Sequence, residues 1–347
     1  MRTKSSKFAA RSFKLFAPGA LALGLTATCA GALTINDSFL STFQPTTNTA
    51  ALEATIQSAS NAIGSLFSNP ITVNILFQTN SSVLGQSDTG LLSQSYGSYK
   101  NLLTTNSSAN PANSILSTAV ANLSSGNGSS VSGANVVSTT ANLRALGVSP
   151  TIATGQFDNH GNYIGSSGTY DAVITLSSSL MNLSTIGAIA VIQHEVDEVL
   201  GGGGAGSMIG LQSTLQSTFG TGTYYGSTDL YRYSQDTPSF TTNTSTTSYF
   251  SVDGGHTSIV SFNQSGGGSD YGDFGVGTCL IQSAYYCGSI TETYGTSSPE
   301  YAMLEAIGYD PVTTPLPSTW FMLLSGFVGL GFFAHRGTKK NAAAIAA

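Results

Sequence analysis

Residues 186–200, IGAIAVIQHEVDEVL, constrain the fold of this chain more than any other segment. Apolar side chains recur there at helical spacing, and four glycines at 201–204 end the pattern, which predicts a helix. Because the residues before His194 are almost all apolar, we expect this helix to lie in the core. Its last turns carry four polar residues, His194, Glu195, Asp197 and Glu198. Burial penalises such groups unless a cation compensates them, whereas an ordinary amphipathic helix would keep them in water.

Shorter elements surround this helix and predict an α+β fold. Helical spacing marks residues 50–67, 96–103, 114–123, 141–146 and 300–307. Apolar β-like runs mark residues 71–77 and 170–176, with shorter pieces at 248–252 and 258–262. The last two pieces lie in a half that is rich in Gly, Ser, Thr and Tyr, so we expect that half to be irregular.

Charge is scarce and unevenly distributed along the chain. Asp, Glu, Lys and Arg make up 8% of the residues, against about 25% in ordinary soluble domains. All 17 acidic residues lie between Asp37 and Asp310, where the basic residues are Lys100, Arg144 and Arg232. Nucleic acid is therefore not an expected partner, because phosphate binding needs clustered Lys and Arg. A divalent cation suits such a surface better.

Residues 1–32 predict a signal peptide. Basic residues extend to Lys14, an apolar run covers 15–27, and small residues follow as far as Ala32, so we expect cleavage near Ala30 or Ala32. Cys29 would suggest a lipoprotein, but the surrounding sequence TATCAG departs from a lipobox. The sequence therefore predicts an exported protein of the cell envelope or the extracellular space.

Two cysteines, Cys279 and Cys287, remain once the signal peptide is removed. Exported proteins mature in an oxidising environment, where neighbouring thiols normally pair. We therefore expect a local disulfide between them.

The C-terminal residues 313–347 predict a membrane segment. An apolar run at 319–334 is long enough to cross the hydrocarbon core at about 1.5 Å per residue, and a basic tail follows it. Pro315, Leu316 and Pro317 precede the run. Together these parts resemble the PEP-CTERM sorting signal of Gram-negative bacteria, with Leu in place of the central Glu. The resemblance implies processing by an exosortase-like sorting enzyme and export into or through an extracellular polysaccharide matrix.

The run HEVDEVLG at 194–201 has the frame of the zincin motif HExxHxxG. In that motif the residues at i and i+4 share one helix face and hold zinc, while the Glu at i+1 is the general base. His194 and Glu198 are thus candidate Zn²⁺ ligands and Glu195 the candidate base. The second ligand departs from the motif, since a carboxylate replaces an imidazole. Such a ligand makes a metal-bound water less acidic or favours a harder divalent metal.

Four runs together carry a family resemblance: HEVDEVLG, DLYRYS at 229–234, YFSVDGG at 249–255 and AMLEAIGYD at 302–310. They resemble a family of zincin-like metalloproteases from PEP-CTERM-bearing bacteria in which HExxE replaces HExxH. The resemblance implies that residues 33–312 form one zincin-like metalloprotease domain with helix 186–200 as its active-site helix. Asp229 is our candidate third ligand, similar to the arrangement in aspzincins. His256 is the alternative ligand, and a turn-capping role is the alternative interpretation of Asp229.

These features together predict a zinc-dependent endopeptidase acting on peptide or protein substrates at the cell surface or in the matrix. We expect strand 170–176 to be the sheet edge against which an extended peptide pairs. The alternative is a non-catalytic matrix or adhesion protein on a degenerate zincin scaffold, since low charge and Ser, Thr and Asn richness suit both.

Overall fold

A computed structural model of the 347-residue chain describes residues 32–40, 43, 49–126, 131–149, 156–158, 163–165, 170–265, 270–275, 277–288, 290 and 292–312. The predicted signal peptide up to residue 31 lies outside these residues. So does the predicted sorting segment from residue 313, with Pro315, Leu316, Pro317 and the apolar run 319–334. Within the described ranges, no helix has both the length and the apolar character that crossing a membrane requires.

The described residues form a mixed α+β structure, as the sequence predicted. They contain seven α-helices: α1 Thr49–Gly64, α2 Tyr96–Ala109, α3 Ser114–Gly126, α4 Thr140–Ala145, α5 Thr185–Leu200, α6 Gln212–Phe219 and α7 Pro299–Ala306. The predicted helices correspond to α1, α2, α3, α4, α5 and α7. Helix α6 was not predicted, because its sequence QSTLQSTF has few apolar positions.

The main sheet has six strands in the order β1-β2-β8-β3-β6-β7. Their bounds are β1 Thr34–Phe39, β2 Thr72–Asn80, β3 Gly85–Thr89, β6 Gln156–Asp158, β7 Tyr163–Gly165 and β8 Ala172–Ser177. Strands β1, β2 and β8 run parallel, and β3 runs antiparallel to β8. Helix α1 makes the crossover between β1 and β2, as a parallel pair requires.

Strand β8, which covers most of the predicted strand 170–176, is not a sheet edge. It hydrogen-bonds to β2 on one side and to β3 on the other. The expectation of a peptide-binding edge at this strand was therefore wrong. Strand order depends on which distant segments pair, and the local apolar pattern carries no information on that.

Two small sheets complete the described strands. The first joins β4 Leu91–Ser95, β5 Asn135–Thr139 and β9 Tyr224–Gly226, and the second joins β10 Arg232–Ser234, β11 Ser248–Phe250 and β12 Val260–Ser261. Strands β11 and β12 match the predicted short pieces. Loops and turns make up most of the described residues after α5, which agrees with the irregular half expected there.

Helix α5 lies in the core and packs against α1 and β3. Its N-cap is Ser184, whose hydroxyl accepts a hydrogen bond from the amide of Gly187, and it ends at Gly201, which has a φ of 100°. Only glycine adopts such a conformation without strain, so the first residue of the glycine run fixes the helix end. Because the apolar face of α5 is buried along its length, the carboxyl end of the helix also lies inside the molecule.

Candidate metal centre

The carboxyl-terminal turns of α5 bring all four of their polar side chains, Asp197 included, into the interior. The side chains of His194 and Glu198 are 18% and 3% exposed, and Glu195 is also buried. His194 and Glu198 are one turn apart, so they share a helix face, and His194 Nε2 lies 3.7 Å from Glu198 Oε1. The pairing predicted from the motif is therefore present as geometry.

Asp273 completes a group of three candidate metal ligands. Its Oδ2 atom lies 3.9 Å from His194 Nε2. One donor atom from each of His194, Glu198 and Asp273 lies within 4.8 Å of the other two. The described residues contain no other group of three or more His, Cys, Asp or Glu side chains with this closeness.

Each of the three side chains is held by a partner on the atom that faces away from the group. His194 Nδ1 lies 3.0 Å from the carbonyl oxygen of Ile281. A carbonyl oxygen can only accept a hydrogen bond, so Nδ1 carries a proton and donates it to this bond, while Nε2 faces the other two side chains. The Ser87 hydroxyl donates to Glu198 Oε2 at 2.6 Å, and the Gln282 amide donates to Asp273 Oδ1 at 2.9 Å. Metal ligands in proteins are typically oriented by outer partners of this kind.

Asp229, the third ligand expected from the sequence, lies elsewhere and is a structural residue. Its Oδ1 accepts a hydrogen bond from the hydroxyl of Ser207, and its Oδ2 accepts from the backbone amides of Met208 and Gly226. Burial raises the pKa of Asp229, and these hydrogen bonds and Arg232 oppose that rise. The carboxylate thus ties two loop segments together, and Asp273 stands in the place expected for it.

The alternative ligand His256 is exposed and belongs to a turn. Within the same turn Asp253 accepts hydrogen bonds from the hydroxyl of Ser251 and the amide of Thr257. Such contacts are typical of an Asp that caps a turn. Neither His256 nor Asp253 belongs to the three-residue group.

Glu195 faces a cleft beside the three-residue group. The cleft has a volume of about 220 Å³ and is lined by His194 and Glu195 together with residues from three segments. The first segment is Leu84 with Gly85 at the start of β3, and the second is Ala190 with Val191 in α5. The third comprises residues 280, 281 and 283–286, and Ile290 lies beside it. Because a Cβ on Gly85 would overlap the Glu195 carboxylate, that carboxylate lies directly on the β3 backbone. Glu195 is therefore placed to reach a molecule in the cleft.

Burial and mutual repulsion make the acidic groups of the site unusually hard to ionise. Burial raises the pKa of Asp273 to about 8 and that of Glu195 well above its ordinary value, and His194 opposes both shifts. Burial lowers the pKa of His194, but the charges of Asp273, Glu195 and Glu198 outweigh it and raise that pKa to about 10. Without a cation, protons must supply the positive charge that this cluster needs. A divalent cation would supply it instead.

The glycine run after α5 leaves room for the site. A Cβ on Gly203 would overlap the Gln282 amide, and a Cβ on Gly204 would overlap the carboxylate of Asp270 and lie 2.6 Å from Glu198 Oε1. The amide of Gly204 also donates to Glu198 Oε1 at 3.1 Å. The backbone therefore passes too close to the acidic cluster for any side chain at these positions.

Cys279 and Cys287 are joined as a disulfide, with their Cα atoms 5.7 Å apart, which confirms the pairing predicted from the sequence. The loop that they close, residues 279–287, forms one wall of the cleft. It also contains Ile281 and Gln282, which contact His194 and Asp273. Sequence patterns had indicated none of Ser87, Asp273 and Gln282. Ser87 and Asp273 lie in polar or glycine-rich segments, Gln282 is a single polar residue in the run CLIQSAYYC, and all three are far from the motif along the chain.

No protein-family model matches this chain, and no curated protein or solved structure is significantly similar to it. The resemblance to zincin-like metalloproteases therefore remains a prediction from its motifs.

Proposed function

We propose that the protein is an exported, zinc-dependent endopeptidase of the zincin type, and that His194, Glu198 and Asp273 hold the metal. The observation that carries the proposal is the convergence of these three donors beside Glu195 in an open cleft. Zincin chemistry needs this combination, because a catalytic site joins three protein ligands to a general base and leaves a position for water.

The donor set fits zinc. Ligand atoms of a tetrahedral zinc ion lie about 3.3 Å apart, given bond lengths of about 2.0–2.2 Å. The separations of 3.7 and 3.9 Å around His194 Nε2 need to contract by only a few tenths of an ångström, and the third separation, between Glu198 and Asp273, lies within 4.8 Å. The carboxylates of Glu198 and Asp273 also suit harder divalent metals, so the identity of the metal is part of the test.

Glu195 would act as the general base. A metal held by the three ligands supplies Lewis acidity toward a water molecule and a carbonyl oxygen. With a cation bound to favour its ionised form, Glu195 would take a proton from a water molecule in the cleft, and its burial raises its pKa and so its affinity for that proton. The same carboxyl group can then return the proton to the leaving amine.

The start of β3 is a candidate binding edge for an extended peptide. Among the described residues, β6 pairs with β3 only at Asp88 and Thr89, while residues 85–87 pair with β8 on their other side. Gly85 lines the cleft, and the Glu195 carboxylate lies against its Cα. A peptide that added to this edge would extend from the cleft beside the proposed general base. This edge replaces the one expected at residues 170–176.

The remaining parts of the proposal concern location and partners. A signal peptide at 1–32 and a PEP-CTERM-type segment at 313–347 would deliver the domain to the cell envelope through an exosortase-like enzyme. An extracellular polysaccharide matrix is the expected surrounding. The disulfide between Cys279 and Cys287 supports export, since such bonds persist in oxidising compartments.

Metal analysis and a protease assay test the proposal together. We expect one divalent metal per chain by mass spectrometry, and hydrolysis of a casein-type substrate that a chelator abolishes. His194→Ala should remove both, because it deletes the central nitrogen ligand. A folded wild-type protein that takes up no metal from a Zn²⁺ or Mn²⁺ solution would refute the proposal.

A non-catalytic matrix or adhesion protein is the second candidate. The observation in its favour is that two of the three candidate ligands are carboxylates, which neutralise a divalent cation and weaken its effect on water. In that case the metal would only stabilise the fold. Equal inertness of wild type and Glu195→Gln toward a broad peptide panel, with metal bound in both, would favour this function.

A further inference from the structure

The loop closed by Cys279 and Cys287 lines the cleft and also contacts two of the candidate ligands. Within it, the carbonyl oxygen of Ile281 lies 3.0 Å from His194 Nδ1. The next residue, Gln282, donates from Nε2 to Asp273 Oδ1 at 2.9 Å. Two consecutive residues of one short loop therefore fix two of the three candidate ligands.

Gln282 is fully buried and occupies the centre of these contacts. Its Nε2 lies 3.4 Å from His194 Nε2, beside the point at which the three ligands converge. A side chain on Gly203 would occupy the space of this amide. By engaging Asp273 Oδ1, the amide leaves Oδ2 as the atom that faces His194. Gln282 thereby selects which carboxylate oxygen is available to a metal.

The loop backbone is itself held in place by two acidic side chains. The amide of Ile281 donates to Glu292 Oε2 at 3.2 Å, and the amide of Gln282 donates to Glu300 Oε1 at 2.9 Å. Glu300 belongs to α7 and is completely buried.

The loop is also tied to the segment that carries Asp273. The amide of Phe274 donates to the carbonyl oxygen of Gln282 at 2.8 Å, and the amide of Ala284 donates to the carbonyl oxygen of Phe274 at 3.1 Å. Asp273 immediately precedes Phe274, so any shift of the loop is passed to this ligand.

We propose that the disulfide-closed loop 279–287 is the positioning element of the metal centre, with Gln282 as the positioning residue for Asp273 and the Ile281 carbonyl for His194. The proposal rests on the metal site proposed above. Outer partners of metal ligands typically contribute about 10–100-fold to metal affinity, because they pre-orient the ligand. A site that is preassembled by a covalently closed loop binds its metal with a smaller ordering cost.

The first test replaces Gln282 by a residue of similar shape that cannot donate. Gln282→Met should weaken Zn²⁺ binding by about 10–100-fold in a chelator competition experiment. The Co²⁺-loaded variant should also show a changed ligand-field spectrum, since Asp273 is then free to rotate. A purely structural role would lower the melting temperature and leave both metal readouts unchanged.

Gln212 provides a matched control. It makes two side-chain hydrogen bonds, both to the backbone of Tyr224, and lies in α6 away from the candidate ligands. Gln212→Met should cost stability and leave Zn²⁺ affinity and the Co²⁺ spectrum as in wild type. An equal loss of affinity in Gln212→Met and Gln282→Met would overturn the proposal.

The second test opens the loop. The double variant Cys279→Ser, Cys287→Ser should lose Zn²⁺ affinity in the same direction as Gln282→Met, because Ile281 and Gln282 are both released. If the double variant does not fold, Gln282→Met still decides the matter. A folded double variant with wild-type affinity and spectrum would show that the loop does not position the ligands.

The experiment separates this proposal from the one on which it depends. If the wild-type protein binds no metal, the proposed function fails. If wild type binds Zn²⁺ tightly and Gln282→Met binds it equally tightly with an unchanged spectrum, only the positioning role fails.

Discussion

The carboxyl-terminal end of α5 and the irregular segment 270–287 supply the two halves of the candidate site in different ways. In α5, the separation of His194 and Glu198 by one helical turn places their side chains together whatever the rest of the molecule does. In the segment 270–287, Asp273 and Gln282 are brought to the site by a disulfide, by bridges through Phe274 and by the contact with Glu300.

The difference shows that helix geometry creates half of a site from local sequence alone, while the other half needs the completed fold. Substitutions in α5 should therefore change the chemistry and leave the structure intact. Substitutions in or near 270–287 should change how well the site is assembled. The predictions below test this division.

Glu195→Gln should produce the largest effect. The amide keeps the shape of the side chain and all three candidate ligands, so metal should stay bound. Hydrolysis of a casein-type substrate should fall by about 10²–10⁴-fold, the usual contribution of a positioned general base. Metal content by mass spectrometry is measured on the same sample. Loss of metal in this variant would mean that Glu195 is itself a metal ligand and not only a general base.

Asp273→Asn and Asp229→Asn form a pair that separates a ligand from a structural carboxylate. Asp273→Asn should weaken Zn²⁺ binding by at least about 10–100-fold, since it removes a ligand and not merely an outer partner. Asp229→Asn should keep Zn²⁺ affinity and destabilise the fold, by about 1–3 kcal/mol for each buried donor left unsatisfied. Chelator competition and thermal unfolding check the two effects. The reverse pattern would restore Asp229 as the third ligand.

Metal affinity should rise with pH. With the pKa of Asp273 raised to about 8 and that of His194 to about 10, both groups hold protons in the metal-free site at neutral pH. Metal binding must displace these protons, so affinity should increase about tenfold per pH unit for each proton released. The increase should become shallower above pH 8, where Asp273 is already ionised. Titrations between pH 6 and 9 measure the slope, and a flat profile would contradict the assignment of these ligands.

Opening the disulfide should lower the stability of the fold by a modest amount. A closed loop this short stabilises a fold by about 2–3 kcal/mol, mainly by restricting the unfolded chain. Denaturant unfolding of Cys279→Ser, Cys287→Ser against wild type gives the value. Labelling of the native exported protein should find no free thiols, and two reactive thiols would show that the loop is open in the cell.

Several elements of the fold follow from sequence periodicity, and the misses have a common physical origin. Helix α5 and strand β2 have apolar patterns strong enough to specify an element by themselves. Strand β3, with the sequence GQSDT, has no such pattern and is a strand because β8 pairs with it. The same pairing placed β8 inside the sheet, where the sequence had indicated an edge.

The candidate site was partly predictable for a related reason. A spacing of four residues on a helix specifies a distance, so His194 and Glu198 were found together with Glu195. Asp229 and Asp273 were both acidic residues in the irregular half, and nothing in their local sequence distinguishes a ligand from a carboxylate that ties loops together. Their hydrogen-bond partners make that distinction, and those partners are far away in sequence.

The sequence by itself determined the buried helix, its polar end, the glycine run that follows and the pairing of the two cysteines. These depend on interactions between residues close along the chain, where spacing translates directly into geometry. Only the tertiary structure decided that Asp273 joins His194 and Glu198, that Gln282 orients it and that β3 borders the cleft. These depend on the packing of distant segments, and the free energy that selects among such packings comes from burial across the whole core, which no local pattern records.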